Sequence, residues 1–492
     1  EQELFRRLGI FAGSIPLDAA AGVAGADPSP PFVNRIAFLV DVSLLARVEN
    51  RYRMLGPIRE LAWDILEDEK ELDDALDRHL SYYATLATEH RSAAGGYHGP
   101  LSRAPEDRLD RFEIAVRVGE DIDDYRAALR RALENGDRRA ALEIAAGIAT
   151  YLQHRLAIRE MADLLAAAVD LEGEAPIDLV AGAMFDLAWA RTDLGENAAA
   201  EAIAQEALQI SRDGNLQEEE STALFTLANT AFERGDLRLA WDRVAQGVAV
   251  CSTLDLSPAM QTSVATLEFY RGEVDTAQAW LDKLEADPSD IQSRAIVPRV
   301  RGFIESARGN HSAALAAFQQ GVAAATTDRA QHEGLRFVAY AHLNLGDLKQ
   351  ARVVGEYLDA QAARSGVPTY RERTLNLLGL IDVRRQLPGA GLPAISEALS
   401  SAVSRGDRYR AWSFLHSAAE ALVALGKPDP ALALLRLAGG VEREYGYWIP
   451  AMDWVPAVTA DQLGTAAAAD AEPVTSMDGA SVLVRSLVTT AS

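Results

Sequence analysis

A single cysteine, Cys251, stands among 492 residues. No disulfide can form within the chain, and a reducing compartment is the simpler setting. Aromatic residues are few, at 7%, while alanine is abundant; this points to helices that approach closely through small side chains. No apolar run nears the ~20 residues of a membrane span, and Glu1-Gln2-Glu3 lacks the basic start of a signal peptide. A soluble cytoplasmic location with no membrane partner is therefore expected. Positive charge is also short: 48 Lys and Arg face 72 Asp and Glu, for a net charge of −24. That argues against a nonspecific nucleic-acid surface over most of the chain.

Catalytic and ligating patterns are lacking too. The eight histidines include no pair at metal-ligand spacing. Cys251 lies beside Val248 and Val250, as a buried thiol would. Glu218-Glu219-Glu220 precede an apolar helix and suit its positive end. No Gly-x-x-x-x-Gly-Lys-Ser/Thr loop occurs; Gly426-Lys427 is followed by Pro428. The expectation is a chain that is not an enzyme and uses no cofactor or metal.

What the chain does contain is a recurring phrase: a glycine, usually a polar residue, and an alanine five positions after the glycine. It reads Gly195-Glu196 with Ala200, Gly235-Asp236 with Ala240, Gly272-Glu273 with Ala277, Gly309-Asn310 with Ala314, and Gly346-Asp347 with Ala351. The glycines are 40, 37, 37 and 37 residues apart, a solenoid period. Apolar residues at helical spacing precede each glycine, which closes one helix in the left-handed conformation while the polar residue starts the next. The alanine marks the helix crossing. Its partner seven residues before the glycine is also small: Ala188, Ala228, Ala265, Gly302 and Ala339. Weaker copies stand at Gly136 with Ala141, Gly389 with Ala394 and Gly426 with Ala431. A differently spelled turn is expected near Gln153 to Arg155.

The predicted fold is mainly α: a solenoid of helix pairs over residues 125–440, preceded by a small domain over 1–67 and a helical linker over 68–124, and followed by a cap and tail over 441–492. Residues 1–67 predict three helices, a hairpin around Glu49-Asn50-Arg51 and a further helix from Pro57, which is a winged-helix order. This segment holds seven arginines and nine acidic residues. Its third helix offers only Asn34 and Arg35 as base readers, and Arg47, Arg51 and Arg53 form the sole basic cluster, which is little for phosphate neutralisation. The acidic run Glu67 to Asp77 reads as a solvated helical face. Gly95 to about Pro105 reads as a loop, and Tyr445, Tyr447, Trp448 and Trp454 read as a solenoid cap.

The period and the glycine-to-alanine offset resemble tetratricopeptide (TPR) repeats, although the units exceed the ~34-residue norm. A second resemblance covers more of the chain. "LFRRLGIFAGSIPLDAAAGVAG" (Leu4 to Gly25), "RYRMLGPIRELAWDIL" (Arg51 to Leu66), "RHLSYYATLA" (Arg78 to Ala87) and "DDYRAALRRALENGD" (Asp123 to Asp137) follow one another. They resemble bacterial STAND-class transcriptional regulators, the AfsR-like and large LuxR-like ATPases. The end, Leu463 to Leu487, is similar to the segment closing their sensor region. The resemblance implies a winged helix and a TPR-like sensor without the nucleotide-binding and output domains, and a start at Glu1 inside the winged helix favours a fragment of a longer protein.

The functional expectation is a noncatalytic sensor that binds a protein or peptide partner, or a small-molecule effector, on the concave face. An ATPase domain in the same longer protein is implied by the resemblance. In such a superhelix the positions ten, six and three before the turn glycine line that face, giving Phe185, Trp189, Phe225, Asn229, Phe232, Phe269, Arg299, Phe303, Arg336 and Tyr340 as candidates. The aromatics with two arginines suit a peptide or an amphiphile with an anionic end. A free-standing TPR adaptor, and a DNA-binding regulator acting through the winged helix, are the alternatives.

Overall fold

The computed structural model describes residues 1–94, 111–250, 256, 258–285, 291–325, 327–448, 456–464 and 474–489. The expected loop through Pro105, Cys251 and Trp454 lie outside the described residues. By internal contacts the chain forms two compact units, residues 1–153 with 160–186, and residues 154–159 with 187–492.

The first unit begins with α1 (Gln2–Leu8), β1 (Ile15–Pro16), α2 (Leu17–Ala24), α3 (Pro30–Asp41), β2 (Ala46–Val48), β3 (Arg51–Arg53) and α4 (Gly56–Asp68). The strands form an antiparallel sheet in the order β1-β3-β2, with Arg47 opposite Tyr52. Glu49, at φ +55°, turns the chain between β2 and β3. Then come α5 (Leu72–Ala94), α6 (Arg111–Glu120), α7 (Ile122–Asn135), α8 (Arg138–His154) and α9 (Ile158–Val169). Asp124 of α7 is fully buried. It accepts from the Ala12 and Gly13 amides at 2.7 and 3.1 Å and lies 3.1 Å from His79 Nε2. A buried carboxylate needs such donors, and these tie the residue 12–13 turn and α5 to α7. The acidic run is partly enlisted here: Glu71 bonds Arg6 at 2.6 Å, and Asp73 and Asp77 bond Arg131 at 3.0 and 2.9 Å.

The second unit is an α-solenoid of TPR-like helix pairs. The unit boundary falls inside α10 (Ile177–Asp193), whose residues from 187 onward belong to the second unit and lead into α11 (Asn197–Asp213). The pairs that follow are α12 (Gln217–Glu233) with α13 (Leu237–Val250), α14 (Pro258–Tyr270) with α15 (Val274–Glu285), and α16 (Ile291–Ala307) with α17 (His311–Ala323). They continue with α18 (Asp328–Asn344) and α19 (Leu348–Ser365), α20 (Pro368–Arg384) and α21 (Pro388–Ser404), and α22 (Arg408–Ala424) and α23 (Pro428–Tyr445). After α24 (Ala460–Gly464), α25 (Met477–Thr489) packs on α21, where Ser481 meets Ser400 at 2.9 Å. Among the described residues no helix is long and apolar enough to cross a membrane.

The repeated phrase has the anticipated cause. Gly195, Gly235, Gly272, Gly309 and Gly346 hold φ between +77° and +84°. The amide after each reaches back to close the preceding helix, as Glu196 N–H does to the Arg191 carbonyl at 2.8 Å and Asp236 N–H to Ala231 at 2.8 Å. Asp236 and Asp347 then cap the next helix through the amides of Leu239 and Gln350, at 3.0 and 3.1 Å. Ala200, Ala240, Ala277, Ala314 and Ala351 are all buried, as are Ala188, Ala228, Ala265 and Ala339.

Two expected turns move. The one near Gln153 to Arg155 is made at Leu156, φ +59°. The one assigned to Gly389 with Ala394 is corrected: Gln386 takes the left-handed conformation, φ +66°, and Gly389 lies inside α21. The crossing follows Gln386, with Gly391 five residues after and Gly379 seven before. An added Cβ on Gly391 would collide with the Gly379 carbonyl oxygen, so these helices touch backbone to backbone.

Candidate functional site

The candidate residues fall into two sets. Phe185, Phe225, Phe269 and Tyr340 are buried. Phe225 packs with Ala228, Met260 and Val264, and Phe269 with Ala265, Tyr270 and Tyr340, so both contribute to contact between helices. Trp189, Asn229, Phe232, Arg299 and Phe303 keep part of their surface, while Arg336 is buried. The structure brings Phe269 and Phe303 together, stacked at 5.7 Å, and Phe303 meets Phe337 edge-on at 4.6 Å. Phe232 instead meets Tyr270 at 4.9 Å. The Arg336 guanidinium lies 3.9 Å from the Phe337 ring centre.

Around these residues runs a chain of charges borne by first helices and the turns before them. Arg329 bonds Asp193 at 2.8 Å and lies over the Trp189 ring at 3.8 Å. Glu333 accepts from Arg336 and from Arg373, each at 3.1 Å. Glu233, at the end of α12, is 3.5 Å from Arg373 and is bonded by Arg410. Arg410 also bonds Asp407, which lies 3.7 Å from Arg405, and Arg405 Nε donates to Glu372 at 2.9 Å. Positive and negative groups thus alternate from Arg336 to Glu372.

Several of these bonds join distant parts of the chain. Asp193 and Glu233 come from the first pairs of the second unit, and their partners come from α18, α20 and α22. The Arg408 amide donates to the Arg234 carbonyl at 3.2 Å, and Tyr447 O–H donates to the Gly235 carbonyl. Trp448 packs edge-on to Phe269 at 5.7 Å. The superhelix of this unit therefore curls until its early first helices meet its late ones.

The electrostatics mark these groups as enclosed. Burial pushes the Asp193 carboxyl up to about 6, with Glu233 and Glu333 adding to the push and Arg329 and Arg373 opposing it. Burial also raises Glu333, but Arg336 and Arg373 overcome it and hold that carboxyl well below the usual glutamate range. Arg299 is pushed down by burial, with Arg336 and Arg329 adding like charge. Yet the side chains of Asp193, Glu233, Arg329, Glu333 and Arg373 stay 14%, 19%, 26%, 14% and 15% accessible. They are partly accessible and not sealed in a dry core, where such charges would be far more costly. Such a surface suits recognition by charge and shape.

Position counting from the glycines missed Asp193, Glu233, Arg329, Glu333, Arg373, Asp407 and Arg410. A different signal marks some of them: arginines recur at 299, 336, 373 and 410, each 37 residues after the last.

A family model described as the MalT-like TPR region matches residues 126–409. Rv0890c of Mycobacterium tuberculosis and Mb0914c of Mycobacterium bovis, whose names assign them provisionally as HTH-type transcriptional regulators, are each 32% identical to this chain over 166 residues. The match takes in 32% of this chain and 17% of each regulator, so the chain spans only a small part of those proteins. Among solved structures, a Rap protein complexed with competence and sporulation factor is 14% identical, with 76% of this chain and 99% of that one covered and a TM-score of 0.37. A STAND protein with a tetratricopeptide repeat sensor from Pyrococcus horikoshii is also 14% identical, with 94% and 62% covered and a TM-score of 0.35.

Proposed function

Because this chain belongs to the MalT-like TPR region family through residues 126–409, we propose that its second unit is the noncatalytic sensor of a transcriptional regulator of the STAND type. An effector or partner segment occupies the inner face formed by the first helices. Residues 1–67 act as a winged helix that relays occupancy to an ATPase domain of the same longer, cytoplasmic protein. The observation that carries the reading is the enclosed yet accessible charge chain: Glu333, Arg373 and Glu233 are held at fixed positions and remain within reach of a ligand. The candidates with remaining surface, Trp189, Asn229, Phe232, Arg299 and Phe303, stand on the same run of helices.

Direct DNA reading by residues 1–67 finds less support. Arg51 of the hairpin is spent on Ser14 Oγ at 2.7 Å, on Glu120 at 3.3 Å and on Asp121, which leaves Arg47 and Arg53 as the exposed basic residues of the two strands.

Affinity selection of small organic acids, phosphorylated metabolites and short peptides on the purified full chain tests the sensor reading. A selected ligand should bind about tenfold more weakly to Asn229→Ala, as expected for one lost polar contact, and unchanged to Val353→Ser on the exposed surface of α19. Ligands sensitive to Val353→Ser and indifferent to Asn229→Ala would sink it.

A further inference from the structure

The arginine series and the residues three positions before it form a ladder with one unequal rung. Arg299, Arg336, Arg373 and Arg410 are preceded at that offset by Ile296, Glu333, Tyr370 and Asp407. Arg299 and Arg336 are the ninth residues of α16 and α18, so these two rungs occupy the same place in successive first helices. Every later arginine has a carboxylate. Arg336 and Arg373 share Glu333, Arg373 also reaches Glu233, and Arg410 lies between Glu233 and Asp407. At the first rung, the place that Glu333 fills in α18 is filled by the apolar Ile296.

Arg299 has no ion pair among the described residues, and its Nε is buried without a hydrogen-bond partner. Glu333, the nearby negative charge, is already divided between two arginines, while Arg329 and Arg336 repel Arg299. A partly buried guanidinium with no ion pair of its own is costly. Phe303 lies one helical turn further along the same face of α16 and stacks on Phe269, so an apolar surface adjoins the unpaired cation.

We infer that Arg299, supported by Arg336, is the seat of an oxyanion, a carboxylate or phosphate carried by the ligand of the inner face, with the ligand's apolar part against Phe303. This rests on the inner face being the ligand surface. The planar guanidinium fork matches either oxyanion through paired N–H donors, and the anion would supply the charge that Ile296 does not.

The test uses the purified full chain, titrated with sodium phosphate and separately with sodium acetate, each against sodium chloride at equal ionic strength, followed by thermal melting. The native chain should show a saturable rise in Tm with at least one of the two anions. Arg299→Met should weaken the apparent affinity about tenfold or more, the loss of one charge-assisted pair. Ile296→Glu, which places a carboxylate where α18 has Glu333, should melt higher without anion and lose the response, so the inference does not depend on how Arg299→Met folds. A response to phosphate alone assigns a phosphorylated ligand, and one to acetate alone a carboxylate. No saturable response in the native chain, or an unchanged one in either variant, overturns the site. The sensor reading fails separately, since Asn229→Ala and Val353→Ser judge it with the selected ligand and leave Arg299 unchanged.

Discussion

Replacing Glu333 with glutamine keeps the size of the side chain and removes the charge that holds Arg336 and Arg373, each at 3.1 Å. The Glu333 side chain is 14% accessible and those of its two partners 10% and 15%, so water can compensate only in part. Removing one member of a buried pair costs about 3–5 kcal/mol. Arg373 keeps Glu233 as a second partner, which places the expected loss near the lower end, at about 3 kcal/mol. Arg336→Met on its own should cost less, because Glu333 retains Arg373. In the double variant the two losses should fall short of adding by about 1–2 kcal/mol, the coupling expected of residues in one network.

The pH dependence carries a sign. The folded carboxyl lies below its ordinary value of 4.5, so its contribution is complete above that value and fades as pH falls below it. The gap between the native chain and Glu333→Gln should therefore be full at neutral pH and narrow in acid. Two compact units make a single global transition an unsafe measure, so the assay is urea-dependent hydrogen exchange read on peptides from α18 and α20. A loss under about 1 kcal/mol with no coupling to Arg336 would show that these charges act as surface charges do, and the enclosed interior would be refuted.

Asp193 should give the opposite slope. Its folded pKa of about 6 exceeds the ordinary 3.8, so its contribution is full below the lower value and is lost as pH rises through the upper one; Asp193→Asn should remove the part of the gain seen between pH 7 and 5, and equal profiles would contradict this. Gln386→Gly should raise stability by about 1 kcal/mol, the cost of a side chain in the left-handed region, read by urea-dependent hydrogen exchange on peptides from α20 and α21. Gly391→Ala should lower it by about 2 kcal/mol because the new methyl meets the Gly379 backbone. Gly440→Ala, with nothing within 4 Å of the new methyl in α23, should instead raise it by about 0.5–1 kcal/mol.

The repeat was legible because its determinants are local. A left-handed residue and a methyl at a helix crossing restrict amino-acid choice strongly, and the five glycine-alanine phrases record that restriction directly. Gln386 escaped notice because the left-handed conformation is costly for glutamine and not forbidden, while Gly389 and Ala394 imitated the phrase three residues away. The inner face was harder to read. An aromatic ten residues before a glycine serves equally as groove lining or as contact between helices, and Phe225 and Phe269 are buried in such contacts. The charge chain depends on Asp193 and Glu233 meeting arginines far along the sequence, which follows from the curvature of the superhelix and from no local pattern. Only the 37-residue spacing of the arginines hints at it.

The central claim is that ligand binds on the first-helix face of the second unit. Amide hydrogen exchange of the full chain, with and without a saturating ligand from the affinity selection, tests it most directly. The account predicts added protection in residues 291–307, 328–344 and 368–384, with little change in 348–365. Protection confined to 348–365 and the other second helices, or to residues 1–67, would contradict it.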